Sequence, residues 1–137
     1  MKKLNNVVLI DASKATISLN HQILSSMNFA EKVHTFTSSK QALEYIKNCI
    51  HEDCLPEVIF LDLVMPEMSG FEFLEAYINI LDSKSANFEP VIIIVSDYLD
   101  FENFSKSKHY KTYGVLDHLR KPIDQSDVEN LLEEYFS

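Results

Sequence analysis

Three short runs of purely apolar residues limit the possible folds of this chain more than any other feature. They span residues 7–10, 58–61 and 91–95, and their length suits a buried strand better than a helix. A strand is apolar on both sides when helices cover both faces of its sheet, as in parallel sheets. Two further runs, 32–36 and 115–119, also contain polar residues. The sequence therefore predicts five strands, of which three are central and two lie at the edges.

The segments between these runs predict helices, because their apolar residues recur at intervals of three and four. The predicted helices cover residues 14–28, 39–50, 71–81 and 128–135, and a weaker one covers 100–111, whose second half is polar. Strands that alternate with helices through right-handed crossovers form an α/β fold. We predict a doubly wound, five-stranded parallel sheet with strand order 2-1-3-4-5, which is the flavodoxin-like (βα)5 arrangement.

Length and composition indicate one globular domain over residues 1–137. Hydrophobic residues make up 46% of the chain, which is enough for a core that needs neither disulfides nor metal. No run approaches the roughly 20 apolar residues of a membrane span, so we expect a cytoplasmic protein without membrane contact. The net charge of −9 argues against nucleic-acid binding, which is driven by Lys and Arg.

The two cysteines leave two interpretations open. Cys49 and Cys54 flank His51 and Asp53, and thiolate and imidazole groups are zinc ligands. No second ligand pair follows at the spacing of a zinc finger. The simpler interpretation is a helix end and a loop in a reducing compartment.

Polar side chains follow four of the five predicted strands. Asp11 follows the first strand, Asp62 the third and Ser96 the fourth, and Lys121 comes shortly after the fifth. In the predicted order the first and third strands are neighbours, so the two carboxylates share the carboxyl edge where open α/β sheets bind ligands. Each residue alone is an ordinary turn or capping residue. Their joint position indicates a site.

The predicted site suits phosphoryl chemistry. Two adjacent carboxylates repel each other unless a proton or a cation offsets their charge, and Mg²⁺ is the expected cation because it binds carboxylates, water and phosphate oxygens. Asp62 is then placed to attack phosphorus and form an aspartyl phosphate. Lys121 would pair with one phosphoryl oxygen as a point charge, and the Ser96 hydroxyl would donate to another.

With these residues in place, the chain resembles the receiver domain of two-component response regulators over essentially its whole length. The segment 61–70, LDLVMPEMSG, is similar to the phosphoacceptor motif of that family. The resemblance implies that Asp62 is the phosphorylation site, Asp11 an acidic-pocket residue, Ser96 the switching hydroxyl and Lys121 the phosphate-binding lysine. It also implies a metal site made of Asp11, Asp62 and the backbone carbonyl of Val64, a switch residue at His118, and a cis bond between Lys121 and Pro122.

The resemblance further implies partners and a mode of action. A histidine kinase or phosphotransfer protein would donate the phosphoryl group, and a downstream protein would bind the face formed by the fourth predicted helix, the fifth strand and the last helix. Residues 123–137 suffice for that last helix only, so we expect a stand-alone receiver without an output domain. No enzymatic activity is expected beyond phosphorylation and dephosphorylation of the protein itself. Whether it forms a homodimer stays open.

Three positions depart from the family pattern. Ala12 stands where the family has a second metal-binding acid, Asp97 where a small residue is usual, and His118 where Tyr or Phe is common. The loss of one carboxylate is expected to weaken Mg²⁺ binding and phosphorylation, and Ser13 or Asp97 would be the substitutes. A histidine at the switch position would respond to pH near neutrality.

Two alternative functions follow from the same residues. The first is a pseudo-receiver, an interaction module that binds its partner without phosphorylation because Ala12 replaces an acid. The second is a phosphatase that resembles the haloacid dehalogenase family. That family needs a second Asp two residues after the nucleophile, where this chain has Val64.

Overall fold

The protein is represented by a computed structural model, and the structure describes residues 3–52, 54–83, 90–97 and 115–136. The predicted helix over residues 100–111 lies outside these ranges. The described elements, numbered in chain order, are β1 (Leu4–Ile10), α1 (Lys14–Ser26), β2 (Ala30–Phe36), α2 (Ser39–Glu52), β3 (Val58–Leu61), α3 (Gly70–Ser83), β4 (Val91–Ser96), β5 (Val115–Arg120) and α4 (Gln125–Tyr135).

The five strands form one parallel sheet in the order β2-β1-β3-β4-β5. The predicted fold class and strand order are therefore confirmed. Every residue of β3 is buried, as expected for a central strand, whereas β2 at the edge has no fully buried residue. A parallel sheet places the carboxyl ends of its strands at one edge, and that edge carries the polar residues predicted to form the site.

Side chains of β3 alternate between two hydrophobic clusters, one on each face of the sheet. Ile59 and Leu61 pack with residues of α2 and α3, such as Ile46. Val58 and Phe60 pack with residues of α1 and α4 on the other face. Burying one aliphatic side chain stabilises a protein by roughly 1.5–3 kcal/mol. The two clusters thus hold a layer of helices against each face of the sheet. The ends of the strands are not covered by these layers.

Local signals determine where α1 begins and ends. The Ser13 hydroxyl oxygen accepts the backbone N–H of Thr16 at 3.2 Å and caps the helix. The helix ends at Ser26 rather than at residue 28 as predicted, because Asn28 adopts a left-handed φ of 51°. This conformation lets the N–H of Phe29 donate to the carbonyl of Leu24 at 3.0 Å. A left-handed residue after the last turn is a common way to satisfy such carbonyls.

None of the helices in the described ranges is long and apolar enough to cross a membrane.

Candidate functional site

Two buried carboxylates and one lysine meet at the carboxyl edge of the sheet. Ile10 and Leu61 are paired in register, so the residues that follow them, Asp11 and Asp62, leave the sheet side by side. Their exposed fractions are 3% and 4%. Lys121 Nζ lies 2.9 Å from Asp11 Oδ2 and 3.0 Å from Asp62 Oδ2. The structure thus brings together three of the residues that the sequence analysis predicts to form the site.

Backbone amides fix the other oxygen of each carboxylate. The N–H of Ser13 donates to Asp11 Oδ1 at 2.8 Å, and the N–H of Val64 donates to Asp62 Oδ1 at 3.3 Å. The carboxylates are therefore oriented by the first residues of the loops that follow β1 and β3. Each presents its Oδ2 to Lys121.

The charges of this cluster do not balance. Burial raises the pKa of Asp62, and its hydrogen bond with Lys121 opposes this effect while the negative charge of Asp11 adds to it. Burial alone would lower the pKa of Lys121, but the two carboxylates outweigh it and raise that pKa. When both carboxylates are ionised, they share one ammonium, and the cluster then carries one negative charge in excess. Such a site attracts a cation.

The oxygen donors at the site fit Mg²⁺. Two carboxylates and a backbone carbonyl are the ligand types that this ion prefers, with water completing its shell. Asp11 Oδ2 is buried and accepts no well-oriented hydrogen bond, although Lys121 Nζ is near it. This oxygen can therefore also bind a cation. Ala12 adds no donor group. The two substitutes considered from sequence differ, because the hydroxyl of Ser13 already caps α1, whereas Asp97 is exposed.

The loop between β3 and α3 is anchored to the rest of the molecule. Gly70 is required there, since a Cβ atom would lie 2.7 Å from the carbonyl oxygen of Asp62. The hydroxyl of Ser39, at the start of α2, is buried and donates to the carbonyl of Met68 at 2.6 Å. This role of Ser39 is not evident from the sequence, because a serine at a helix start indicates only a cap.

Ser96 lies fully buried at the end of β4. Its hydroxyl donates to the carbonyl of Asp97 at 3.1 Å, and its own carbonyl accepts the N–H of Lys121 at 3.3 Å. Burial lowers the pKa of His118 on the neighbouring β5, and a hydrogen bond with the backbone of Ser96 opposes this effect. The predicted hydroxyl and the predicted switch residue are thus adjacent in the structure. The Lys121–Pro122 peptide bond is cis, as the resemblance implies.

The two cysteines lie at the opposite end of the sheet from this site. Both are free thiols, and the N–H of Cys54 donates to the carbonyl of Cys49 at 3.0 Å. In the part of the chain that the structure describes, no group of three or more His, Cys, Asp or Glu side chains is arranged to hold a metal. Asp53, which the zinc interpretation includes, lies outside that part.

Comparison with known proteins identifies the family. The family model of the response regulator receiver domain matches residues 7–133, and the chain belongs to this family. An uncharacterised response regulatory protein of Staphylococcus epidermidis is 31% identical over 101 residues, which are 74% of this chain and 34% of the relative. The chain thus spans about a third of the length of that relative.

Solved structures share the fold. A two-component response regulator from Cytophaga hutchinsonii superposes with a TM-score of 0.79 over 97% of each chain, at 21% identity. The receiver domain of the histidine kinase CKI1 from Arabidopsis thaliana gives a TM-score of 0.73 over 94% of this chain and 89% of that one, at 22% identity. Receiver domains are signalling modules of two-component systems. The chain is therefore a receiver domain of a response regulator.

Proposed function

We propose that the protein accepts a phosphoryl group on Asp62 from a phosphohistidine of a histidine kinase or a phosphotransfer protein. The observation that carries this proposal is the buried pair of carboxylates that share Lys121. A carboxylate at the end of a central strand, with a cation 3.0 Å from its oxygen, has both the nucleophile and the positive charge that phosphoryl transfer requires.

Each residue of the site has its own role in the proposed transfer. Asp62 attacks phosphorus, and as its O–P bond forms the P–N bond of the phosphohistidine breaks. The imidazole nitrogen keeps the electron pair and takes up a proton. Lys121 exchanges its contact with Asp62 for a phosphoryl oxygen and offsets part of the added charge. Asp11, Asp62 and the Val64 carbonyl would hold Mg²⁺, which would lower the negative charge of the pocket. The receiver domain of CKI1, which shares the fold, has been crystallised with Mg²⁺ and BeF₃⁻.

The signal would leave the site through β4 and β5. A phosphoryl oxygen would draw the Ser96 hydroxyl away from the carbonyl of Asp97, and His118 on β5 is hydrogen-bonded to the backbone of Ser96. The next residue back, Asp117, accepts a hydrogen bond from the Tyr135 hydroxyl of α4 at 3.3 Å. A change at Ser96 would therefore shift the population of conformers of the surface formed by β5 and α4, where a downstream protein would bind.

The test is intact-mass spectrometry of the protein incubated with Mg²⁺ and acetyl phosphate. The wild type is expected to gain one phosphoryl group, and Asp62→Asn to gain none. Glu44→Gln, which neutralises an exposed carboxylate of α2 outside the site, is the control and should still be labelled. Equal labelling of Asp62→Asn and the wild type would refute the proposal.

A second candidate function rests on Ala12. If the pocket without a carboxylate at this position binds Mg²⁺ too weakly to be phosphorylated, the protein is a pseudo-receiver that binds its partner independently of phosphate. Labelling of Ala12→Asp but not of the wild type would favour this candidate. Calorimetric titration with Mg²⁺ would support the same conclusion if only Ala12→Asp bound the ion.

A further inference from the structure

One polar side chain of α1 is buried and hydrogen-bonded to a distant part of the chain. Asn20 is 3% exposed, and its Oδ1 accepts the backbone N–H of Ile123 at 3.2 Å. Buried amide groups are unfavourable unless they are hydrogen-bonded. A hydrogen bond across 103 positions of the chain therefore joins α1 to the segment after β5.

That segment carries Lys121. Lys121 is held on one side by its own N–H, which donates to the carbonyl of Ser96 at 3.3 Å. Pro122 has no N–H, so the next backbone donor is that of Ile123, which Asn20 accepts. The Ile123 side chain is buried in the cluster between the sheet and α4. The backbone around Lys121 is thus fixed by one hydrogen bond before Pro122 and one after it.

Helix α1 is attached to both residues of the ion pair between Asp11 and Lys121. At its start, the N–H of Ser13 orients Asp11, and two turns later Asn20 holds the segment that carries Lys121. The separation between Asp11 Oδ2 and Lys121 Nζ, 2.9 Å, depends on both attachments. Because phosphoryl transfer depends on positioning, an error of about 1 Å can lower the rate by roughly 100-fold.

We propose that Asn20 is a positioning residue for phosphoryl transfer, which acts through the backbone of Ile123 to hold Lys121 between Asp11 and Asp62. This inference rests on the proposed phosphorylation of Asp62. Asn20 contacts neither the phosphoryl group nor the carboxylates. Its effect reaches the site only through the position of the Lys121 ammonium.

The first test measures the rate constant for phosphorylation by acetyl phosphate. Asn20→Leu keeps the γ-branched shape of the side chain but removes the acceptor, and is expected to lower the rate constant about 10-fold. Asn20→Asp keeps an acceptor oxygen and should recover most of the rate. Ile46→Val weakens the core on the other face of the sheet and should leave the rate constant of the folded protein unchanged. An unchanged rate constant in Asn20→Leu would overturn the inference.

A double-mutant cycle separates positioning from a general loss of structure. In a Lys121→Met background, Asn20→Leu should have no further effect on the rate constant, because the group it positions is gone. Equal effects of Asn20→Leu in the presence and absence of Lys121 would contradict the inference.

A second readout does not depend on phosphorylation. Crystal structures of the variants would show whether the distance from Lys121 Nζ to Asp11 Oδ2, 2.9 Å, increases in Asn20→Leu but not in Ile46→Val. If the wild type is not labelled, the proposed function fails while this distance still decides the role of Asn20. An unchanged distance in Asn20→Leu would count against that role.

Discussion

Polar side chains are hydrogen-bonded at both ends of the sheet, but the buried carboxylates of the described residues lie at the carboxyl edge. At the carboxyl edge, Asp11, Asp62 and Lys121 form an ion cluster with one negative charge in excess. At the amino edge, the side-chain amide of Asn6 donates to the Tyr45 hydroxyl at 3.3 Å and to the carbonyl of Cys54 at 3.1 Å. These groups are neutral, and their hydrogen bonds join β1 to α2 and to the segment before β3.

Burial makes ionisation of the neutral cluster at the amino edge still less favourable. Burial raises the pKa of Tyr45 to about 12 and that of Cys49 to about 11. An open groove of about 930 Å³, lined by Asn6, Tyr45 and Cys54 among others, lies beside this cluster. The groove is at the end of the sheet away from the ion cluster. In this protein the candidate site is thus distinguished by buried charge and not by the size of a cavity.

The largest effect is expected at Lys121. Lys121→Met leaves two buried carboxylates without their cation, and loss of one partner from a buried ion cluster destabilises a protein by about 3 kcal/mol or more. Urea denaturation measures the change. Lys40→Met is the matched control, because the exposed Lys40 pairs with Glu67 at 3.7 Å and surface pairs contribute less than about 1 kcal/mol. Equal losses of unfolding free energy in Lys121→Met and Lys40→Met would show that the buried ion cluster contributes no more than a surface ion pair.

A charge placed at the neutral end should be harmful. Asn6→Asp removes the amide donor to Tyr45 and Cys54 and sets a carboxylate against the carbonyl of Cys54. A buried group without its partner costs about 1–3 kcal/mol, and because Asn6 is half-buried we expect the free energy of unfolding to fall by about 1.5 kcal/mol. Asn5→Asp makes the same exchange at an exposed neighbouring position and should change it by less than about 0.5 kcal/mol. Unchanged stability of Asn6→Asp would show that the amino edge accepts a charge as readily as an exposed position does.

Replacing a charged residue with a neutral one at the carboxyl edge should stabilise the protein in the absence of metal. Asp62→Asn removes the excess charge and leaves Asp11 paired with Lys121, and we expect a gain of about 1 kcal/mol at neutral pH. The pKa of Asp62 is raised in the folded state, so its contribution to stability is complete below the unfolded-state pKa and is lost as pH rises through the folded-state pKa. The advantage of Asp62→Asn should therefore grow from acidic to neutral pH.

Denaturation curves over this pH range provide the check, with Asp97→Asn as the control for an exposed carboxylate. A stability difference between Asp62→Asn and the wild type that did not change with pH would mean that burial of Asp62 has no electrostatic consequence. Lower stability of Asp62→Asn at every pH would mean that its contact with Lys121 outweighs the repulsion from Asp11.

The last prediction involves no change in stability. It concerns the reactivity of Cys49 at the amino edge. The shift in the pKa of Cys49 from 9.0 to about 11 lowers its thiolate fraction about 100-fold, and the thiolate is the reactive form. Alkylation by iodoacetamide, located by peptide mass spectrometry, should therefore be much slower at Cys49 in the native protein than in the urea-unfolded protein. Similar rates in the two states would indicate that this end of the sheet opens readily.

Much of the fold could be predicted because its signals are local. The apolar runs of β1, β3 and β4 identify central strands, and Asp11 and Asp62 follow two of them directly. The end of α1 was harder to predict, because the apolar spacing continues to Met27 while the chain leaves the helix at Asn28 with a positive φ. Periodicity reports the face of a helix more reliably than its last residue.

The supporting bonds of the site could not be predicted from sequence. Ser39 and Met68 are 29 positions apart, and Asn20 and Ile123 are 103 apart. In both bonds the acceptor or donor on one side is a backbone group, which no residue type reveals. The direction of the Ser96 hydroxyl, towards the carbonyl of Asp97, is likewise set by the local backbone.

The alternation of β3 between the two clusters has a consequence for how such a protein can diverge. All four residues of the strand contribute to the core, and Asp62 is the first residue after them that does not. The residues to which the proposed function assigns the chemistry, including Asp62, therefore lie outside the hydrophobic clusters that hold the fold. Single substitutions at the carboxyl edge can therefore change the proposed phosphorylation while the hydrophobic core stays intact, and the effect of Ala12→Asp on labelling would show whether position 12 is such a place.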